Sequence, residues 1–170
     1  MKIVDKNEIK EIIGKAEIGK LIDMCKYVAG LEDIDNKINE KNNTAPAIYF
    51  TKHKGGLSIE AIFGFKIHRI PIVENKIKSI TLEKGGVIDT QKKSVVGRAI
   101  VGGLLLGPLG AVVGGASGIK DKVIKENDNL VIMVGDDERE NAILFTIKKG
   151  KTEKVYKFFK QNYPALFTMS

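Results

Sequence analysis

Residues Ala142 to Pro164 read AILFTIKKGKTEKVYKFFKQNYP, and the order of signals in this stretch decides the fold. Ala142 to Ile147 is a short apolar run of strand length. Lys148-Lys149-Gly150-Lys151 follows as a turn. Thr152 then stands as the cap of a helix whose Val155, Phe158 and Phe159 share one face, and Pro164 closes that helix. A strand that feeds one final amphipathic helix raises the question of what precedes it.

Working backwards, Leu130 to Val134 reads as the partner strand, joined to Ala142 by the polar turn at Asp136 to Asn141. Upstream, Ala47 to Ile88 carries a two-residue period. Ile48 and Phe50 alternate with polar neighbours, Gly55-Gly56 turns the chain, and Leu57, Ile59, Ala61 and Phe63 alternate again. Phe65, Ile67 and Arg69 to Val73 make a further strand in which Pro71 marks an edge or bulge. Glu74-Asn75-Lys76 is turn-like, Ile77, Ile80 and Leu82 lead to a turn at Gly85-Gly86, and Val87-Ile88 is a short strand.

The N-terminal part reads differently. Asp5 and Glu8 form a capping-box pattern, and Ile9, Ile12, Ile13 and Ala16 fall on one helical face. Ile18, Leu21, Ile22, Cys25, Val28 and Ala29 extend that spacing to Gly30, with Gly14 and Gly19 as possible breaks. Residues 1–31 are therefore expected to be helical and 32–45 a polar linker. Residues 46–164 form the main domain, and 165–170 a tail.

Short antiparallel strands followed by one C-terminal helix resemble a pleckstrin-homology-like (PH-like) or GRAM-like barrel. Bacterial members look similar in IPIVENKIKSITLEKGG (Ile70 to Gly86) and in the Ala142 to Pro164 ending. The resemblance implies an α+β fold, mainly antiparallel, and a binding scaffold, not a catalyst. Relatives of this kind are often linked to membranes. Lipid-binding members place basic residues in the turn after the first strand, which on this reading is Thr51-Lys52-His53-Lys54-Gly55-Gly56. The Lys-x-Arg pair of phosphoinositide binders is missing there.

Between the strands lies VVGRAIVGGLLLGPLGAVVGGASG, Val95 to Gly118. Ala99 to Ile119 has no charged side chain, and eight of the eighteen glycines fall between Gly97 and Gly118. Ala99, Gly103, Gly107, Ala111 and Gly115 recur every fourth residue, as do Gly110, Gly114 and Gly118. A period of four lays small residues along one helix face, where two backbones can approach closely. This is a glycine-zipper pattern.

Three arrangements compete for residues 95–119: one transmembrane helix, a helical hairpin turning at Gly107-Pro108 in a membrane, or the same hairpin packed on protein. A single helix from Ala99 to Ile119 would reach about 30 Å, enough for a bilayer core. Basic residues flank both ends, however, with Lys92, Lys93 and Arg98 before and Lys120, Lys122 and Lys125 after. A single span favours charge on one side. It would also separate strands that share a sheet, so the hairpin is the expected form. Leu104, Leu105, Leu106, Leu109, Val112 and Val113 would then supply the lipid or apolar contact. Lys92, Lys93, Arg98, Lys120 and Lys122 would meet anionic headgroups.

Composition agrees with a globular chain: 170 residues, 43% hydrophobic and 29% charged. The net charge of +7 implies an anionic partner or simple solubility. Few arginines and no Trp argue against nucleic acid. A single Cys25 and the absence of a visible secretory signal point to the cytoplasm.

Catalytic patterns are missing. There is no phosphate-binding loop and no dinucleotide fingerprint. The two histidines, His53 and His68, have no cysteine or carboxylate spacing that would join them in a metal site. Asp136, Asp137, Glu138 and Glu140 lack the ordered spacing of a calcium loop. The expectation is a non-enzymatic protein without cofactor or metal. It is placed at the inner face of the cell membrane, in contact with anionic lipid and self-associating through the small-residue stripe. The alternative is a soluble interaction module whose hairpin grips a protein partner.

Overall fold

The computed structural model describes residues 2–41, 46–85, 127–135 and 140–169. In chain order the elements are α1 (Lys6–Ile13), β1 (Ala16–Ala29), α2 (Glu32–Lys41), β2 (Ala47–His53), β3 (Gly56–Phe63) and β4 (Lys66–Val73). A 3-10 turn at Glu74–Lys76 leads to β5 (Ile77–Glu83), β6 (Asn129–Gly135) and β7 (Glu140–Ile147). The chain ends with α3 (Thr152–Asn162) and β8 (Phe167–Met169). The strands lie in one sheet of order β4-β3-β2-β1-β7-β6-β5-β8. All pairings are antiparallel except β5 with β8. Among the described residues the sheet is open, with β4 (bridged at Arg69 by Val4) and β8 at its edges, and not the closed barrel that the resemblance allowed.

The main correction lies at the N-terminus. Helix α1 forms as expected: the Asp5 carboxylate accepts the amides of Asn7 and Glu8, and Glu8 reaches back to the Asp5 amide. Those amides, Glu8 first, hold the Asp5 carboxyl below its ordinary range. The helix stops at Ile13, because Gly14 turns away with φ of 79°. The next element is strand β1, not more helix. Leu21, Cys25, Tyr27 and Ala29 are buried, whereas Ile22 and Lys26 are exposed. The helical spacing of Leu21, Ile22, Cys25 and Val28 is incidental. Pairing on both edges of this segment outweighs local periodicity.

Strand β1 is the hinge of the sheet. Its first part pairs with β2, Leu21 opposite Phe50, and its last part with β7, Cys25 opposite Ile147. Between them the register shifts and Asp23 takes a positive φ of 50°. That conformation costs a non-glycine residue roughly 1–2 kcal/mol. The Asp23 carboxylate meets Lys148 Nζ at 2.5 Å, and Lys148 donates its amide to Met24 O.

Residues 32–41 form a helix where a linker was expected. Ile34 is fully buried, and Glu32, Asp33 and Asp35 favour the positive end of the helix dipole. Tyr27 anchors it: its hydroxyl donates to Asp35 at 2.8 Å and accepts the Leu31 amide at 2.7 Å. The expected tail also joins the sheet, with Phe167 opposite Ile80 on β5.

Alternation puts Phe50, Ile59 and Ile70 in one transverse row of the core. An aromatic chain crosses that core: Tyr27 to Phe145, Phe145 to Phe50, and Phe50 to Phe159 of α3, at centroid distances of 5.9, 5.0 and 5.5 Å. Val155, Phe158 and Phe159 are the buried face of α3, as its spacing predicts.

Candidate functional site

The helix-packing stripe, the leucine and valine contacts and the flanking basic residues, all between Lys92 and Lys122, lie outside the described residues, as do Val87-Ile88 and Asp136 to Arg139. The structure does define where that segment is rooted. Leu82 pairs with Leu130 and Glu83 with Asn129, so residues 86–126 leave and rejoin one antiparallel pair at the same point.

A single carboxylate organises this root. Asp128 Oδ1 accepts the Gly85 amide at 2.8 Å. Its Oδ2 accepts the hydroxyl of Thr152, the first residue of α3. Its carbonyl accepts the Ile147 amide at 2.7 Å. Asp128 therefore binds together the end of β5, the start of β6, the end of β7 and the first turn of α3. Thr152 does not cap α3, as its position suggested. The cap residue is Lys151, and no side chain makes the capping bond. Glu83 and Asn129, the last paired residues, are both buried. Asp128 is inconspicuous in the sequence because nothing in its neighbourhood is periodic; a carboxylate directly before a strand was the one available signal.

The lysine-rich turn has a different position and a different role from those expected. With β1 preceding it, it joins the second and third strands. Lys52 is buried, with its Nζ 2.6 Å from Glu74 and 4.5 Å from the centre of the Tyr163 ring. His53 is buried too, its ring nitrogens against Gly14 O at 2.9 Å and Ser58 Oγ at 3.1 Å. Tyr163 donates its hydroxyl to Gly56 O at 3.0 Å. These groups tie α1, the β2–β3 turn and the end of α3 together. Only Lys54 projects from the turn, so it is a poor phosphate cradle.

Buried hydroxyls and thiols show the same structural character. Burial pushes the Cys25 thiol up to about 12, and Cys25 has no exposed surface. Burial likewise raises the Tyr27 and Tyr163 hydroxyls, helped by the charges of Asp35 and Glu74 respectively. His68 sits on edge strand β4 with its ring 5.6 Å from Phe63. Among the described residues no group of three or more His, Cys, Asp or Glu could hold a metal ion, and no helix is long and apolar enough to cross a membrane.

The sequence matches the family described as glycine zipper containing PH domain over residues 31–143, from just before α2 into β7 and through the glycine-rich segment. Neither a curated protein nor a solved structure matches it. The matched span leaves out β1, α3 and β8, which the structure adds to the same sheet and core.

Proposed function

The chain belongs to the glycine-zipper-containing PH domain family, and we propose that it is a non-catalytic scaffold associated with the inner face of the cell membrane through residues 95–119. One observation carries this reading: the apolar segment is inserted between two neighbouring paired strands, so both its ends stay with the folded domain. A path that begins and ends beside Glu83 and Asn129 fits an even number of crossings or a shallow loop.

The apolar side chains Leu104, Leu105, Leu106, Leu109, Val112 and Val113 drive partition. The stripe of Ala99, Gly103, Gly107, Ala111 and Gly115 is the contact face for self-association. Around the root, Lys84 and Lys154 are exposed, and Thr152 ties the first turn of α3 to Asp128. Lys84 and Lys154 add to the charge of Lys92, Lys93, Arg98, Lys120 and Lys122. Each such residue contributes about 1 kcal/mol near an anionic surface.

Liposome flotation of the full chain, beside a variant lacking Gly97 to Gly118, tests this. Flotation of the full chain alone, persisting in high salt, is the expected result. A soluble full-chain oligomer that never floats would favour a soluble module whose segment packs on protein. Replacing Gly103 and Gly107 with Leu is expected to break self-association while leaving lipid partition intact.

A further inference from the structure

Strands β5, β6 and β7 bury side chains on both of their faces. Ile80, Leu130, Ile132 and Ile143 point into the core. The alternate residues form a second face, on which register sets Thr81, Val131 and Leu144 in one row. Met133 and Ala142 belong to the row on one side, and Glu83 and Asn129 to the row on the other. Val131 is 0% exposed and Leu144 1%, and Ala142, Thr81, Glu83 and Asn129 are buried too. An antiparallel sheet commonly leaves its second face to water, so a face this dry has chain lying on it.

The described helices do not supply that cover. Ile34 and Ile38 of α2 and Phe158 and Phe159 of α3 join the core on the first face, and α1 packs on β3 and β4. Residues 42–45 and 136–139 are too short to lie across three strands. Residues 86–126 remain. They leave the sheet after Gly85 and return at Asn127, next to the Glu83–Asn129 pair that ends this face. Their chemistry fits, because they carry Leu104, Leu105, Leu106 and Leu109 and no charge from Ala99 to Ile119. The three rows extend about 13 Å along the strands. A helical arm of about ten residues on either side of Pro108 would reach about 15 Å.

We propose that, away from lipid, residues 95–119 dock on this second face, over Thr81, Val131 and Leu144 of the same chain. Partition into a membrane then uncovers the face, so lipid and sheet compete for one apolar segment. The competition rests on the membrane reading above; the docking does not.

Met133 is partly exposed on this face, so Met133→Cys in the full-length chain can carry a benzophenone maleimide, whereas Cys25 is fully buried. After illumination without vesicles, cross-links are expected on the tryptic peptide Ala99–Lys120. In a mixture of heavy-nitrogen and unlabelled protein they should join halves of the same isotope. Val131→Lys in that background is expected to abolish them while urea unfolding stays cooperative; Ile132→Lys, one residue away and facing the core, should unfold the chain. Cross-links that fall elsewhere in the chain, or only between isotopes, overturn the docking, whatever Val131→Lys does to the fold. Vesicles of phosphatidylglycerol and phosphatidylcholine should lower the yield several-fold as the protein floats. Full yield on vesicle-bound protein leaves the docking intact and overturns membrane association through residues 95–119. Protein that cross-links as expected but binds no vesicle has the same meaning.

Discussion

The amide of Gly85 donates to the carboxylate of Asp128 at 2.8 Å, across a sequence separation of 43 residues. The bond closes the root of the inserted segment, and the second oxygen of the same carboxylate carries Thr152 of α3. The sheet and the final helix are thereby held together where residues 86–126 begin and end.

Removing that carboxylate leaves a backbone amide and a hydroxyl without their acceptor. Asp128→Ala is expected to destabilise the fold by about 1–3 kcal/mol. Asp128→Asn, which keeps one acceptor oxygen, should lose less. Urea unfolding monitored by circular dichroism measures both, and hydrogen exchange at Gly85 should quicken in the Ala variant.

Gly30 joins β1 to α2 with φ of 105°, and a Cβ there would sit 2.0 Å from the carbonyl oxygen of Ala142. The obstacle is backbone, so no side chain can swing aside. Gly30→Ala should cost at least about 3 kcal/mol. Gly64 at the β3–β4 turn also has a positive φ, 59°, but its Cβ would meet nothing within 4 Å. Gly64→Ala should cost only about 1 kcal/mol. A thermal melt of each variant distinguishes the two cases.

Three buried groups make the fold sensitive to alkali. Cys25 is raised from 9.0 to about 12, and Tyr27 and Tyr163 are both raised from 10.0. A raised acid gives its full contribution below its unfolded value. As pH rises past 9.0, the unfolded chain ionises Cys25 while the folded chain keeps it protonated, so stability falls. The loss from Cys25 continues to about pH 12, and the tyrosines add to it above pH 10.0. The urea midpoint should therefore be level from about pH 7 to 8.5 and decline steadily from about pH 9 to 11. A flat midpoint across that range would contradict the burial of these groups.

Thr51 presents the opposite case. Its hydroxyl is buried with no hydrogen-bond partner among the described residues. Thr51→Val keeps the branched shape and removes the unpaired group, so it should stabilise the protein by about 1 kcal/mol. A raised urea midpoint with an unchanged denaturant slope checks this.

Strands β2 to β7 and helix α3 were legible because each carries a local signal that tertiary contacts reinforce: alternation in Leu57 to Phe63, and one apolar face in Val155, Phe158 and Phe159. Helix α2 was not legible because Ile34 and Ile38 are only two apolar positions in a polar segment. Its anchor Tyr27 lies only eight residues before Asp35, but it falls in the stretch read as helical, so the contact was not visible. The glycine-rich pattern was fully visible in sequence. The carboxylate that gathers its root was not, because Asp128 acquires its partners only when β5, β7 and α3 converge.

Sequence alone determined the strand-rich body, the closing amphipathic helix, the capping box at Asp5 and Glu8, and the small-residue stripe between Ala99 and Gly118. Each depends on residues within a few positions of one another, where steric and hydrogen-bonding preferences act directly. Tertiary structure alone decided that Ala16–Ala29 is a strand, that Lys52 and His53 are buried against Glu74, Gly14 and Ser58, and that Phe65 is left wholly exposed. β1 is a strand because β2 and β7 offer it hydrogen bonds on both edges, and those partners lie far along the chain.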